Sequence, residues 1–358
     1  MSSAKSDSSE RVEIDGMYIL KVALIPLTLA ASILFLYLYV KPIEQQSATM
    51  LVAPKSRDMR AEQIRMFALN EIVKANSHDL PPRSRNISAK ALCKQKLACA
   101  PFNRRYETMI RVAPQYKMVN CVVQKSMSTM MTGAMCYLYN ETQYEKSGRS
   151  FDDEFSGRLC KNQNEFSSVN SVRDAFNISY VKHDWTFSMV TRNPIDRFVS
   201  GYVDRCVRLA LKNETQCNGC GLNMTCFIET EYKRLMEISY KRKTHRTMED
   251  AHFFPQVWHC DLNEEFEFFE FIQYSGNAED KMVPQLQDLL ERQNVPEKSI
   301  EFIKNELIYK KSSHSTTGTP AKRFYYSRLM KSPYLLEFIV KMFYYDFLRF
   351  HYELPPGF

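Results

Sequence analysis

Apolar and polar positions divide the 358-residue chain into three stretches. The first, VALIPLTLAASILFLYLYV from Val22 to Val40, is an uncharged run of 19 residues, long enough to cross a bilayer with little tilt. No small-residue cleavage site follows it, so it reads as an uncleaved anchor and not a signal peptide. A buried core helix rarely stays apolar all round for this length. The second stretch, residues 41–90, mixes Pro, Ser, Gln and charge around one amphipathic pattern near Ala61 to Ala75, and reads as a stem. From about Leu92 onward strand-like and helix-like segments alternate, which predicts an α/β domain built on a parallel sheet. YKMVNCVV (Tyr116 to Val123) is its first clear strand and WTFSMV (Trp185 to Val190) its second. SPYLLEFIVKMFYYDFLRFHY (Ser332 to Tyr352) predicts an amphipathic helix with an aromatic-rich end.

Charge flanking the apolar run does not orient it. Lys5, Arg11 and Lys21 precede it and Lys41, Lys55, Arg57 and Arg60 follow, so the positive-inside rule hardly discriminates. Cysteines and sequons decide more. All ten cysteines fall between Cys93 and Cys260, an even number that suits disulfides in an oxidising compartment. Five N-x-[ST] sequons, at Asn86, Asn140, Asn177, Asn213 and Asn223, lie on the same side of the span. The expected layout is a type II membrane protein: cytosolic tail 1–21, transmembrane signal-anchor 22–40, stem 41–90 and a luminal domain 91–358. Cys217, Cys220 and Cys226 have zinc-like spacing but no second closely spaced Cys/His pair, so local disulfides are the expectation. Beyond Val40 the chain holds 45 basic against 37 acidic residues. Basic clusters stand at Tyr240 to Arg246, at Lys310–Lys311 and around Lys322, Arg323, Arg328 and Lys331. Each alone reads as a solvated face; together, in a secretory lumen, they suit an acidic polysaccharide and not nucleic acid.

Two joints between strand and helix carry the candidate chemistry. In CVVQKSMSTMM (Cys121 to Met131) a buried strand gives way to Lys125, Ser126, Ser128 and Thr129, and then to an apolar helix pattern. Unpaired N–H groups and the dipole at a helix start favour an anion there; the plainer reading is a polar loop that merely caps the helix. In TRNPIDRFVSGY (Thr191 to Tyr202) Asn193 is a good N-cap, Pro194 suits the first helical position, and Asp196 can complete a capping-box-like turn. That helix places Ser200 two turns in, with Arg192 in the loop before it. Two joints, each with a cation and hydroxyls, suit a nucleotide carrying phosphates at both ends.

Lys125 with Ser128 and Thr129, then Arg192 with Ser200, resembles the two nucleotide-binding motifs of sulfotransferases that use 3′-phosphoadenosine 5′-phosphosulfate (PAPS). The match is to the Golgi carbohydrate sulfotransferase group that includes the chondroitin 4-O and HNK-1 enzymes. RNPIDRFVSGY looks like that group's R-[DN]-P-x-x-R-[LF]-V-S-x-Y motif, DAHFFPQVWHC (Asp250 to Cys260) like its H-x-x-P-Q-x-x-x-C region, and YYDFLRFHY like its terminal Y-x-x-D-F-x-x-F-x-Y pattern. The resemblance covers roughly residues 115 to 353. It departs at the first motif, where Gln124 stands in place of the usual proline and Met127 where a small residue is common.

The resemblance implies a P-loop-like PAPS sulfotransferase fold, a central parallel sheet flanked by helices. It implies sulfuryl transfer from PAPS to a glycan hydroxyl, such as one of chondroitin, with no metal. Lys125 is then the catalytic cation on the bridging oxygen. Ser126, Ser128 and Thr129 bind the donor, Ser128 and Thr129 at its 5′-phosphate, and Arg192 and Ser200 bind its 3′-phosphate. His252 is the candidate base, with His183, Glu249 and Asp250 as rivals. Two other readings stay open: a luminal glycosyltransferase, for which Asp152-Asp153-Glu154 is the nearest substitute for a D-x-D metal motif, and an inactive glycan-binding relative.

Overall fold

The computed structural model describes residues 68–358 apart from 84–86, 96, 182–183, 211–215, 241–246 and 311–314. The tail, the apolar run at 22–40 and the stem as far as residue 67 lie outside the described residues. Among the described residues no helix is long and apolar enough to cross a membrane. The folded unit reaches back at least to Ala68, past the stem boundary expected near residue 90. The reason is packing: Ile72 is buried in the main core, and the Asn76 amide donates to the Leu222 carbonyl at 2.8 Å.

Among the described residues, five strands form one sheet in the order β3-β1-β2-β4-β5. They are β1 (Ile110–Ala113), β2 (Met118–Cys121), β3 (Glu165–Phe166), β4 (Thr186–Arg192) and β5 (Phe269–Tyr274). The three strands β2, β4 and β5 run parallel, whereas β1 is antiparallel to both β2 and β3. The sheet is therefore mixed, which corrects the expectation of a parallel one. The four-residue IRVA of β1 is too short to stand out, and it returns into β2 through a turn at Pro114–Tyr116 that permits only an antiparallel pair. Strand β4 also runs two residues past the expected end, to Arg192.

Every residue of β2 and β4 is buried, as expected where helices cover both faces of a parallel core. Alternation sorts them. Phe187 and Met189 join one core with helices α2 (Pro194–Tyr202), α3 (Met224–Ser239), α4 (Met248–Phe253) and the C-terminal α8 (Pro333–Arg349). Met118 and Val190 join the other, with α1 (Ser128–Tyr139), α5 (Met282–Arg292) and α6 (Glu297–Tyr309). A further helix, α7 (Pro320–Met330), packs against α2 and α8.

All ten cysteines are paired: Cys93–Cys99, Cys121–Cys260, Cys136–Cys160, Cys206–Cys217 and Cys220–Cys226. The Cys217, Cys220 and Cys226 group is thus held by disulfides, not by a metal. The Cys121–Cys260 bond closes the longest loop, 139 residues apart in sequence, and ties the end of β2 to the segment after α4.

One buried acid gives the fold a pH dependence. Glu231 on α3 is fully buried; its Oε2 accepts from the Asn218 amide at 2.8 Å and its Oε1 has no partner. Burial first, and the nearby Asp250 carboxylate second, push it up to about 8. A folded value above the unfolded one means stability that is full below the unfolded carboxylate range and is lost as pH rises through the folded value. The melting temperature should therefore fall between about pH 5 and pH 8, this residue contributing at most about 1.4 kcal/mol per pH unit. Glu231→Gln should flatten that fall in a pH series of thermal melts. An equally steep fall in the variant would place the effect elsewhere.

Candidate functional site

The parallel pairing of β2 with β4 and of β4 with β5 brings three loops to the same edge of the sheet, the C-terminal ends of the strands. Ligands of open α/β sheets bind there. A cavity of about 280 Å³ lies at this edge. Its lining takes Gln124, Lys125, Met127, Ser128 and Thr129 from the first joint, Arg192, Ser200 and Asp204 from the second, and Tyr274 and Asn277 from the end of β5. His252, Leu307, Ile308, Lys310, Thr316 and Thr317 are also among the lining residues.

The first joint turns sharply. Lys125 and Met127 both take left-handed backbone angles, φ +67° and +59°, costly for residues with a side chain. Met127 occupies the N-cap position of α1 without a capping side chain, so the first N–H groups of that helix, which have no intrahelical partner, also lack a side-chain cap. The polar loop does not act as a side-chain cap, which removes the plainer sequence reading. Lys125 reaches across to Asp204, Nζ to Oδ2 at 2.8 Å. Burial pulls the Lys125 ammonium below the ordinary lysine value; Asp204 opposes this, and Arg192 and Arg208 add to it.

At the second joint Asn193 caps α2, its Oδ1 accepting from the N–H groups of Ile195 and Asp196, and Pro194 takes the first turn as expected. The capping is one-sided, since the Asp196 carboxylate lies 4.0 Å from Lys322. Arg192 is buried; one guanidinium nitrogen donates to the Lys125 carbonyl at 3.0 Å, its plane lies over the Tyr274 ring, and its Nε has no hydrogen-bond partner. Ser200 shares a hydrogen bond with Thr316 at 3.2 Å. Burial and the charge of Arg192 depress Lys322 on α7, so a second cation stands near this joint.

Ser126 departs from its expected place. Its side chain is 2% exposed and turns inward, its hydroxyl donating to Gln256 Oε1 at 3.0 Å. Space for a hydroxyl at the cavity exists at Ser128 and Thr129, because the left-handed residues on either side of Ser126 rotate it into the core. Gln256 spans the two joints. Its Oε1 also accepts from the Arg192 N–H at 3.0 Å, and its Nε2 donates to the Arg192 carbonyl at 2.8 Å. Asp346 of α8 then accepts from the backbone N–H groups of Gln256 and Val257, at 2.8 and 2.9 Å.

His252 is half-buried on the cavity wall. Its Nδ1 lies 2.7 Å from the Met248 carbonyl. A carbonyl can only accept, so Nδ1 carries the proton and Nε2 keeps its lone pair. Burial, with the charges of Lys125 and Arg205 adding to it against the Met248 hydrogen bond, pulls the imidazole down to about 4. Helix α4 reaches this position by a close approach to α2, where a Cβ on Gly201 would stand 2.9 Å from Phe253. The rival acids are committed elsewhere: Asp250 caps α4 and pairs with Arg234 at 2.8 Å, and Glu249 pairs with Arg205 at 3.5 Å. His183 lies outside the described residues. Asp153 and Glu154 are likewise engaged, in a capping box with Ser150 and an ion pair with Arg149.

Sequence reasoning missed Asp204, Gln256, Tyr274 and Thr316. Of these only Gln256 left a trace, in the P-Q of the region resembling H-x-x-P-Q-x-x-x-C. The arrangement can hold an anionic ligand at two points, set a cation between them, and offer an unprotonated imidazole to an acidic hydrogen.

Residues 108–353 match the model of the sulfotransferase family. Three Caenorhabditis elegans proteins are similar along most of their length. The protein vep-2, whose name assigns it provisionally as a sulfotransferase, is 72% identical over 313 residues, 87% of this chain and 97% of its own. A second relative, with no activity in its name, is 41% identical over 309 residues, 85% of this chain and 86% of its own. The carbohydrate sulfotransferase chst-1 is 28% identical over 257 residues, 70% of this chain and 76% of its own. No solved structure matches significantly.

The imidazole geometry has a direct readout. Nitrogen-detected NMR of labelled protein should find His252 neutral at pH 7, as the Nδ1–H tautomer, with a titration midpoint near 4. A midpoint near 6.5 or the Nε2–H tautomer would contradict the assignment.

Proposed function

Since the chain belongs to the sulfotransferase family, we propose that it transfers a sulfuryl group from PAPS to a hydroxyl of a glycan, with a glycosaminoglycan such as chondroitin as the acceptor class. The observation that carries the donor half is the convergence of both cation–hydroxyl joints on one cavity, Lys125 with Ser128 and Thr129 on one side and Arg192 with Ser200 on the other. Fit is supported by the orphaned Nε of Arg192, a buried donor that an anion would satisfy. Ser128, Thr129 and the N–H groups opening α1 would hold the 5′-phosphate, and Arg192, Ser200 and Lys322 the 3′-phosphate. Tyr274, Leu307 and Ile308 give the cavity a less polar wall suited to a flat base.

When bound, PAPS supplies the sulfuryl group and its phosphate takes the electrons of the broken bond. Lys125 supplies positive charge where that negative charge develops, an effect that lowers the barrier most when the cation is already in place. His252 Nε2 takes the proton of the acceptor hydroxyl; general-base help of this kind is worth about 10²–10⁴-fold. The imidazole's low proton affinity keeps it unprotonated at neutral and mildly acidic pH, and the arrival of an anionic donor raises that affinity toward the acceptor's needs.

The acceptor half is supported by chst-1, a carbohydrate sulfotransferase by name, and by the basic excess beyond Val40. The five disulfides suit an oxidising compartment, and with the apolar run at 22–40 they support a type II protein of the Golgi membrane facing the lumen. Asn140 and Asn177, in two of the sequons, are exposed.

Three outcomes test this reading. The full chain incubated with radiolabelled PAPS and a panel of desulfated glycosaminoglycans should label at least one; labelling of none, with metal-dependent use of a nucleotide sugar instead, would favour the glycosyltransferase reading. Lys125→Ala should lower kcat by about 10²–10³ with a much smaller change in donor KM, the signature of an interaction made in the transition state. A normal kcat with raised KM would reduce Lys125 to a phosphate anchor. Arg192→Ala should weaken binding of the desulfated donor, PAP, by roughly 1.5–3 kcal/mol in calorimetry, and equal affinity in the folded variant would remove the 3′-phosphate assignment.

A further inference from the structure

The helix that follows the second joint does not run on as an α-helix. After Tyr202 the chain makes a π turn, Val203–Val207, before α geometry resumes at Arg208. Such turns insert one residue into the helical register and are frequent at functional sites. Three consecutive residues of this turn each make a specific long-range connection. Asp204 Oδ2 meets Lys125 Nζ at 2.8 Å, Arg205 pairs with Glu249 on the helix carrying His252 at 3.5 Å, and Cys206 is bonded to Cys217. The turn therefore links the candidate cation to the helix of the candidate base.

We propose that Asp204 is a positioning residue for the sulfuryl-transfer reaction: from the π turn its carboxylate keeps the Lys125 ammonium charged and aimed into the cavity. The inference rests on the role given to Lys125 above. Asp204 is itself nearly buried, and its second oxygen accepts from Arg208, at 2.7 Å from Nε and 2.6 Å from the terminal nitrogen. Both oxygens are thus fixed, and the carboxylate cannot swing away without breaking a second ion pair. An ammonium has three N–H donors; Asp204 uses one, and the others remain for a ligand.

The need for this carboxylate follows from what else faces Lys125. Arg192 approaches from the end of β4, Arg208 from beyond the π turn and His252 from α4, the two arginines both cationic. Burial and these two cations favour a neutral amine, and a neutral amine has nothing to offer a developing phosphate charge. Among the described residues, Asp204 is the one acid paired with Lys125. It is held below the usual carboxylate range: burial alone would raise it, but Lys125 and Arg208 together outweigh that. It therefore stays ionised wherever the enzyme would work. The cost is a negative charge close to an anionic donor, which is why the second oxygen is occupied by Arg208.

The test reads Lys125 directly. Competitive acylation of the disulfide-intact full chain, followed across pH by peptide mass spectrometry, gives the Lys125 titration midpoint without any donor. Asp204→Asn should lower that midpoint by about one pH unit or more, the usual effect of losing an opposite charge at contact. In assays the same variant should lower kcat by up to about 10²-fold, move the alkaline limb of the rate profile down in step, and change donor KM far less. Arg208→Gln, at a half-exposed position that should tolerate the change, removes a cation and should move the midpoint the other way. A merely structural role for Asp204 predicts a changed melting temperature with an unmoved Lys125 midpoint. That result overturns the proposal, as does a variant with tighter PAP binding and undiminished kcat, which would make the pair a latch that the donor opens. If Asp204→Asn does not fold, an unmoved midpoint in Arg208→Gln is sufficient to overturn it. Wild-type protein that binds no PAP would instead overturn the donor reading, a failure the donor-free titration distinguishes from the first.

Discussion

The candidate site depends on holding two loops from two different strands at a fixed separation, and a buried side-chain amide bridges them. Gln256 accepts from Ser126 in the loop after β2 and brackets Arg192, at the end of β4, from both sides of its peptide unit. A side-chain amide suits this position because it accepts and donates at once, so it completes a backbone-like pair with Arg192 and still has a lone pair for Ser126. The amide is in turn fixed from behind. Asp346 accepts from two successive backbone N–H groups at Gln256 and Val257. Burial, against those hydrogen bonds and the Arg197 charge, raises that carboxylate to about 6.

From this crosspiece the remaining architecture acquires a purpose. The disulfide from Cys121 to Cys260 fixes the segment holding Gln256 to the strand that feeds the first loop. Arg197 on α2 donates to the carbonyls of Gln124 and Phe254, one from each side of the same junction. The long helix α8 contributes no residue to the cavity, yet it supplies Asp346 and closes the core behind it. Two loops bearing cations would repel each other if free. Packing, a disulfide and a buried hydrogen-bond network hold them near enough to share one ligand, the pre-organisation an electrostatic catalyst needs.

Much of this was legible along the chain. Lys125, Arg192 and the Asn193–Pro194 helix start declare themselves because helix starts and anion sites use a small set of residue types. The cysteines declare themselves by number and confinement. What stayed hidden depends on long-range geometry. Asp204 reads as an ordinary helix acid, and only the π turn aims it at Lys125. Ser126 reads like Ser128, and only the left-handed backbone at Lys125 and Met127 turns it inward. Strand β1 is too short to announce itself, so the sheet looked wholly parallel. Residues 68–83 look like linker by composition, but Ile72 and Asn76 tie their first part to the core.

The central claim is that a residue outside the cavity sets its affinity by keeping both loops in register. Gln256→Met keeps the volume but removes every side-chain hydrogen bond to Ser126 and Arg192. Calorimetric titration of the folded full-length variant with PAP measures the consequence. Leaving buried partners unpaired commonly costs about 1–3 kcal/mol, so the account predicts an affinity at least about fivefold weaker than wild type, with the disulfides intact. A folded variant binding PAP within about twofold of wild type, less than half a kcal/mol, would contradict it.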